Sequence, residues 1–395
     1  MRSGSDVCLL LMHVKIMKVL IVVPGFPINT DNIKGGVNSA LVNLLSGFAN
    51  ADINVRVVSF NREINIPEII QFSKNIEIHY FPENKLPHFI NFIFKGSFSV
   101  KKQIKEFNPH IVHFAMSGYI LLTGLFGLLK KVKLVTIHGI AFKEAKQKKT
   151  LKEKLVWYSN GIVELLLCPD NIIHLSNYSL SLTDKKNTNT FSIIPNTVNR
   201  SYFDLPLKTA TSNTIMYAGI IDANKNILFL LRTIKALVDK GIFFSVSVVG
   251  DFTDNYYKHE VLSYIKTNNL QGYITFYGWL SQQQLQIQLA QSDILMVSSK
   301  QESLPMVIAE AMSAGKVVVS SITGGTPEMI TDNIDGFLFD LLRKEKVISI
   351  LEKLYDNNLL IQKIQVKARE KAVSLYHSDR VAKKTIDFYE LLGNN

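Results

Sequence analysis

The chain has 395 residues, 47% hydrophobic and 10% aromatic, which is enough to bury two sizeable cores and excludes a largely disordered protein. Two distant cysteines, Cys8 and Cys168, exclude a disulfide framework and a cysteine-based zinc site, and they favour a cytoplasmic location. The net charge of +11 lies entirely in the first half, because residues 201–395 carry 20 basic and 20 acidic side chains. We therefore expect two folded domains, of which the first faces an acidic partner.

Two apolar stretches in the first half of the chain could be mistaken for membrane signals. Residues 1–16 precede the apolar run 17–23 and are interpreted as an N-terminal extension. A signal peptide is the competing interpretation, but the run Val7–Met12 is short and no small-residue cleavage site follows it. The stretch Gly118–Leu129 is shorter than the roughly 20 residues that cross a bilayer, so we expect a buried helix there.

A lysine-rich segment leaves two interpretations open. An anionic membrane surface or a phosphate-bearing acceptor would favour such a cluster, which predicts peripheral contact with the inner face of a membrane. A solvated helix face is the alternative, and the interspersed Glu144 and Glu153 support it. No nucleic-acid-binding motif accompanies the cluster, so nucleic acid is not an expected partner. The lysines are Lys143, Lys146, Lys148, Lys149, Lys152 and Lys154.

Short β-rich runs alternate with helical patterns along the first half of the chain, as in a parallel, doubly wound sheet. The clearest helix follows the first strand, where apolar residues recur with helical spacing between Val37 and Phe48. The predicted strands are 18–23, 54–59, 110–114 and 132–137.

The same alternation restarts after the polar stretch 208–213, which predicts a second Rossmann-like domain. Its predicted strands are 214–218, 243–249, 273–277, 293–297 and 316–320, and its predicted helices are 225–240, 282–291 and 305–314. Residues 342–393 are expected to be mostly helical, with candidates at 359–376 and 379–392.

The fold class is therefore α/β, with two facing Rossmann-like domains, a cleft between them and a helical C-terminal segment. We expect domains at 17–206 and 207–375, and a last helix in 376–395 that packs back on the first domain. Ligands of such sheets bind outside the carboxyl ends of the strands, so the chemistry is expected in the cleft.

The densest candidate cluster for chemistry runs from Ser298 to Met312. Pro305 is suited to start a helix and Gly315 to end it, which places Glu302 in the preceding loop and Glu310 on the helix. Both carboxylates can accept hydrogen bonds from sugar hydroxyls, while N–H groups at the helix start favour a diphosphate. The alternative, a helix-end charge and a surface residue, conflicts with the apolar neighbours of Glu310.

This cluster resembles the Glu-x7-Glu signature of retaining GT-B glycosyltransferases, in particular those of family 4. The following residues strengthen the resemblance. The strand 317–321, the turn Gly324-Gly325-Thr326-Pro327-Glu328 and the run Asp335-Gly336-Phe337-Leu338 are similar to the family's strand, Gly-Gly-x-Pro-Glu turn and closing hairpin.

Further matches cover nearly the whole chain. Lys34-Gly35-Gly36 resembles the family's glycine loop, and Ile137-His138-Gly139 resembles the strand end that carries its histidine. Pro195-Asn196-Thr197 is similar to the family's Pro-Asn-Gly, with threonine in place of glycine. Ala218-Gly219, followed by Lys225, and Gly250-Asp251-Phe252 are similar to the family's second domain, with Phe252 in place of a glycine.

One departure concerns the cations that bind the donor diphosphate. Ile220 stands where the family usually has an arginine, so another base such as Lys300 would have to join Lys225. The alternatives are therefore a nucleotide-sugar-binding protein with weakened catalysis, or another GT-B enzyme such as an epimerase or phosphorylase. A dinucleotide oxidoreductase is disfavoured because no Gly-x-Gly-x-x-Gly follows the first strand.

The resemblance implies a retaining glycosyltransferase that moves a hexose-type sugar from a UDP- or GDP-linked donor to a glycan or lipid-linked acceptor, in polysaccharide, lipopolysaccharide or capsule synthesis. Its catalytic set would be His138, Glu302 and Lys225. We expect no cofactor and no metal, since no Asp-x-Asp occurs. The implied donor-binding residues are Gly35, Gly36, Asn196, Gly219, Lys225, Gly250, Lys300, Ser303, Leu304, Pro305, Glu310, Gly324 and Gly325.

Overall fold

A computed structural model of the chain describes residues 16–29, 33, 35–124, 131–139, 141–142, 145, 150–183, 190–207 and 213–393. The extension 1–15, Lys34 and most of the lysine-rich segment lie outside the described residues.

Two sheets organise the chain, and the break between them falls between residues 193 and 214. The strands are β1 Met17–Pro24, β2 Ile53–Asn61, β3 Glu68–Ser73, β4 Ile76–Pro82, β5 Ile111–Phe114, β6 Val132–Ile137, β7 Asn171–His174, β8 Thr190–Ile193, β9 Thr214–Ala218, β10 Ser245–Val249, β11 Ile274–Gly278, β12 Ile294–Val297, β13 Val317–Ser321 and β14 Phe337–Phe339. The helices are α1 Gly36–Phe48, α2 His88–Asn91, α3 Ser97–Phe107, α4 Leu151–Leu167, α5 Asn177–Ser181, α6 Arg200–Phe203, α7 Ile227–Val238, α8 Asn255–Thr267, α9 Gln282–Gln291, α10 Met306–Ser313, α11 Thr326–Met329, α12 Lys344–Leu354, α13 Asn358–Tyr376 and α14 Ser378–Gly393.

The first sheet has the order β3-β4-β2-β1-β5-β6-β7-β8 and is parallel except for the antiparallel edge pair β3–β4. Its central strand β1 is buried on both faces, since Val19 to Val23 have no exposed surface. Continuous apolar strands of this kind are stable only between two layers of helices. The predicted doubly wound architecture of this half is confirmed.

The second sheet has the order β11-β10-β9-β12-β13-β14 and is parallel throughout. The prediction of a closing hairpin after the Gly-Gly turn is wrong. β14 pairs with β13 in the parallel direction, Val319 opposite Phe337, because the short helix α11 carries the chain back between the two strands.

The stretch 118–124 forms a 3₁₀ helix rather than the start of an α-helix, with Ile120, Leu121 and Leu122 buried, and residues 125–130 lie outside the described part. Among the described residues, no helix has the length and apolar character that crossing a membrane requires.

The last helix returns to the first sheet. Helix α14 packs against α1, and its side chains Val381, Phe388 and Tyr389 are buried in the core of the first domain. Gly47 of α1 permits the contact, because a Cβ there would lie 2.6 Å from the Ser378 carbonyl oxygen. The backbone N–H of Val198 donates to the carbonyl of Tyr376, so the two segments that pass between the sheets lie side by side.

Candidate active site

Two adjoining cavities of about 330 and 380 Å³ lie between the two domains, at the carboxyl ends of both parallel sheets. Gly36 at the start of α1, Lys225 and Met306 line both of them. The smaller, here called the Glu310 cavity, is also lined by Gly35, Tyr202, Gly219, Ile220, Gly250, Trp279, Pro305 and Glu310. The larger, the Glu302 cavity, is also lined by His138, Asn196, Asp222, Asn224, Glu302, Ser303 and Leu304.

An ion pair joins the two best candidates for catalysis in the Glu302 cavity. The Lys225 ammonium lies 2.5 Å from a carboxylate oxygen of Glu302. The loops that carry them are tied together, because the Asn224 side chain donates to the Gln301 carbonyl and the Lys300 N–H donates to the Asn224 carbonyl. The predicted catalytic groups of the second domain therefore form one unit.

The Gly-Gly turn supports the loop that carries Glu302. A Cβ at Gly324, whose φ is +54°, would lie 1.6 Å from the Glu302 carbonyl oxygen, and one at Gly325 would lie 2.4 Å from that of Ser303. The Gly325 N–H donates to the Ser303 carbonyl. Neither glycine lines the two cavities, so the phosphate contact expected from the sequence stays a prediction.

His138 comes from the other domain, directly after β6, and faces the Glu302 cavity. Burial lowers the pKa of its imidazole to about 4, and a hydrogen bond with the backbone of Ala115 opposes part of that shift. Its Nδ1 has no hydrogen-bond partner among the described residues. A neutral imidazole from the first domain therefore lines the same cavity as Glu302 and Lys225.

Glu310 lies on α10 and lines the Glu310 cavity. Burial raises the pKa of its carboxyl to about 7, because removal from water disfavours the charged form. The buried hydroxyl of Tyr202, which lines the same cavity, has no partner among the described residues. Sequence reasoning missed Tyr202, since no motif marks it.

Ile220 is 46% exposed and lines the Glu310 cavity. Lys225 is the one basic side chain among the described residues that line either cavity. Lys300, expected to compensate for the missing arginine, is exposed and does not line them. Among the described residues, the positive charge that lines this cleft is therefore lower than the family pattern implies.

Gly219 and Gly250 meet in the wall of the Glu310 cavity. Their φ angles are +143° and +128°, and a Cβ at Gly250 would lie 1.9 Å from the Gly219 carbonyl oxygen. Only glycine fits this contact. Phe252, which replaces the family's third glycine, packs its ring against Phe276 at 5.8 Å between centroids.

Thr197, which replaces the glycine of the family's Pro-Asn-Gly, connects that segment to α1. Its buried hydroxyl donates a hydrogen bond of 2.7 Å to the Ala40 carbonyl. The neighbouring Asn196 is left facing the Glu302 cavity. The substitution therefore has a structural explanation in the helix that it anchors.

Glu328 connects the two domains, a contact that the Gly-Gly-x-Pro-Glu motif containing it does not indicate. Its carboxylate accepts hydrogen bonds from the backbone N–H groups of Asn177 and Tyr178 at 2.7 and 2.6 Å, at the start of α5. A carboxylate at this position also complements the helix dipole. We call this contact the Glu328 clasp.

Within the described ranges, no three His, Cys, Asp or Glu side chains come together as a metal ion would need.

Comparisons with known proteins agree with this geometry. Residues 34–202 match the family described as Glycosyltransferase Family 4, and residues 201–372 match Glycosyl transferases group 1. The chain is 26% identical over 318 residues to an Escherichia coli UDP-Gal:α-D-GlcNAc-diphosphoundecaprenol α-1,3-galactosyltransferase, covering 75% of this chain and 79% of that one.

Solved structures show the same fold at low identity. Sucrose-phosphate synthase from Thermosynechococcus elongatus has a TM-score of 0.75 and 18% identity, covering 95% of this chain and 99% of its own. Anabaena HepE in complex with UDP and glucose has a TM-score of 0.70 and 14% identity, with the same coverage. The two facing sheets, the cleft that they form and the family matches together show that this chain is a glycosyltransferase of family 4 with the GT-B fold.

Proposed function

We propose that this glycosyltransferase moves a hexose from a UDP-sugar to a glycan or lipid-linked acceptor in the synthesis of a cell-surface polysaccharide such as lipopolysaccharide or capsule. The observation that carries the proposal is the meeting of His138, Lys225 and Glu302 in one cavity beside the buried Glu310. The E. coli relative is named for UDP-Gal and a diphosphoundecaprenol-linked acceptor, and HepE was solved with UDP and glucose, which supports UDP over GDP.

In the proposed mechanism the bond between the anomeric carbon and the diphosphate oxygen breaks, and the negative charge develops on the leaving nucleoside diphosphate. Lys225 stabilises that charge, because a fixed cation in a partly dry cleft needs no reorganisation. The acceptor oxygen attacks from the same face, so the anomeric configuration is retained. Its proton passes to an oxygen of the leaving diphosphate, and no protein nucleophile is required.

The remaining side chains orient the donor in this scheme. Glu310 accepts hydrogen bonds from the ribose hydroxyls, and Glu302 accepts them from the sugar hydroxyls. The neutral His138 offers its polar edge to the transferred sugar. We propose that no tightly bound metal ion takes part, with Lys225 supplying the positive charge, and that transfer takes place at the cytoplasmic face of a membrane.

A second candidate function follows from Ile220, which leaves Lys225 as the one cation of the described cleft lining. In this candidate, the protein binds a nucleotide sugar and catalyses its transfer only weakly. This candidate predicts donor binding without transfer, whereas an epimerase would convert the donor without an acceptor and a phosphorylase would require inorganic phosphate.

The test is a panel of UDP- and GDP-sugars, each incubated with the full chain, with release of nucleoside diphosphate as the readout. We expect slow hydrolysis of one UDP-sugar, and NMR of the transfer product should show the anomeric configuration of the donor. Glu310→Ala should raise the donor KM by about tenfold or more, while the exposed control Glu345→Ala should not. Hydrolysis of GDP-sugars alone, or an equal KM for both variants, would overturn the proposal.

A further inference from the structure

Helix α4 turns its apolar side toward solvent. Seven large apolar side chains of this helix are 39 to 74% exposed; Val156 lies apart, and the other six share one side. At about 100° per residue they fall within an arc of roughly 100°, which is the width of the face that a surface helix normally buries. These residues, here called the α4 stripe, are Leu151, Leu155, Tyr158, Ile162, Leu165 and Leu166.

The opposite side of α4 is fixed to the protein by polar and close contacts. The Glu164 carboxylate accepts hydrogen bonds from the Ser117 hydroxyl and from the Ala141 N–H. A Cβ at Gly161 would lie 2.8 Å from the ring of Phe142, so the helix backbone is held close at this point. The exposure of the α4 stripe is therefore set by inward contacts and is not the result of a loosely attached helix.

Lysines border the stripe on both sides. Lys152 lies about 40° beyond one edge of the α4 stripe and Lys154 about 20° beyond the other. Glu153, between them in sequence, points to the far side and closes a capping box with Thr150. An apolar strip between cations is the pattern of a helix that lies in the plane of an anionic bilayer surface.

Neighbouring groups extend this surface. Tyr119 places its hydroxyl against Ser159 of α4, and its ring contacts Phe89, which is itself 41% exposed. Farther along the helical segment that begins with α2, Phe94 and Phe98 are 71 and 73% exposed. A soluble surface seldom exposes so many large apolar groups of one domain without a binding partner.

The position of α4 relates the stripe to the cleft. The helix connects the parallel strands β6 and β7, and therefore runs from the carboxyl edge of the sheet back to its amino edge. Its first turn, with Lys152 and Lys154, follows His138 in the chain at the edge where the cleft opens.

We propose that the α4 stripe and its bordering lysines dock this protein on an anionic lipid bilayer, with the apolar side chains in the headgroup–acyl boundary. A second copy of the chain fits less well. Side-by-side pairing of two α4 helices in the parallel direction would bring Lys152 and Lys154 against their own copies, and antiparallel pairing would place them against Leu165 and Leu166, which offer no acid. The excess of positive charge in residues 1–200 also favours an anionic bilayer as the binding partner.

The docking itself follows from the surface alone, and only its link to a lipid-linked acceptor rests on the proposed function. The experiment is co-flotation of the full chain with vesicles of phosphatidylcholine, with or without phosphatidylglycerol, at low and high salt. We expect binding to the anionic vesicles, weaker binding at high salt and little binding to phosphatidylcholine alone.

Matched double variants distinguish binding through the α4 stripe from non-specific hydrophobic binding. L155S/I162S should weaken binding to anionic vesicles by about tenfold or more. L342S/L359S, which changes two exposed leucines of the second domain, should bind like the wild type. K152E should weaken binding and K363E should not. Circular dichroism checks that each variant is folded.

Equal binding by L155S/I162S and L342S/L359S would overturn the proposal, as would absence of binding to anionic vesicles. A wild-type dimer in analytical ultracentrifugation that L155S/I162S converts to a monomer would assign the surface to a second copy instead. Donor hydrolysis in solution, measured on the same variants, reports the proposed function separately, because it needs no membrane.

Discussion

The ammonium of Lys225 and the carboxylate of Glu302 form a 2.5 Å ion pair on the wall of the interdomain cleft. Both side chains are partly buried, at 30 and 10% exposure. The pair holds a cation in place before any donor arrives, and the electrostatic part of the mechanism depends on that position.

Lys225→Ala should lower kcat by about 10² because the leaving diphosphate loses its fixed cation. The charge-swapped variant K225E/E302K restores a pair but places the carboxylate where the cation belongs. We expect it to unfold in urea close to the wild type and to remain inactive. Recovery of transfer by the swapped variant would contradict the assigned roles, and steady-state kinetics with urea titrations measure both.

Ile220→Arg should strengthen UDP binding by about tenfold, since the new guanidinium enters the Glu310 cavity at a position that is 46% exposed and can accommodate it. Calorimetry with UDP measures the affinity, and added salt should reduce the gain. Ile220→Met serves as the uncharged control of similar length. If both variants bound UDP equally, the missing family arginine would have no importance here.

Glu310 should make folding stability depend on pH. Burial raises the pKa of its carboxyl from 4.5 to about 7 in the folded protein, so the folded state keeps the proton longer than the unfolded state. The contribution of this carboxyl to stability is therefore largest below about pH 4.5 and falls as pH rises to about 7, by on the order of 3 kcal/mol relative to Glu310→Gln. Urea unfolding at about pH 5 and about pH 8 measures the difference, and parallel profiles for the two proteins would refute it.

Gly324→Ala should destabilise the protein by about 2 kcal/mol or more and impair transfer, because the new Cβ would meet the Glu302 carbonyl and φ is +54°. Gly272→Ala is the matched control, since a Cβ there meets nothing within 4 Å. Thermal unfolding and kinetics report the two effects. An unchanged kcat in Gly324→Ala would show that the turn does not position Glu302.

Glu328→Ala should open the clasp between the domains. Three hydrogen bonds to Asn177 and Tyr178 are lost, so we expect a larger radius of gyration in small-angle X-ray scattering and about tenfold lower kcat/KM. The exposed Glu345→Ala serves as the control. Scattering curves that coincide with the wild type would indicate that other contacts hold the domains together.

The sequence predicted the second domain closely because its elements are periodic and bounded by turn residues. The strand 214–218 and the helix 282–291 have the predicted bounds. The first domain was harder. Strands β3 and β4 received no prediction, since the edge strand Glu68–Ser73 mixes polar and apolar residues without clear alternation.

The cleft residues could be found from motifs because each lies at a strand or helix end that the sequence already marked. Contacts between distant segments could not be found in that way. Thr197 meets Ala40 across 157 positions, and Glu328 meets Asn177 across 151. The solvent exposure of the apolar side of α4 could not be predicted from the sequence either. Periodicity predicts an apolar face but does not say whether that face points to the core or to solvent.

The chain passes from the first domain to the second after Ile193, with Val198 and Tyr202 already buried in the second core, and it returns before Ser378. The Val198–Tyr376 hydrogen bond keeps the two passages adjacent. Two adjacent connecting segments form a hinge between the domains. A hinge of this kind permits opening and closing but resists sliding and twisting of one domain against the other. Loss of the final helix would therefore remove one of the two segments of that hinge as well as part of the first core. The relative orientation of the two domains would be disturbed before either sheet unfolded.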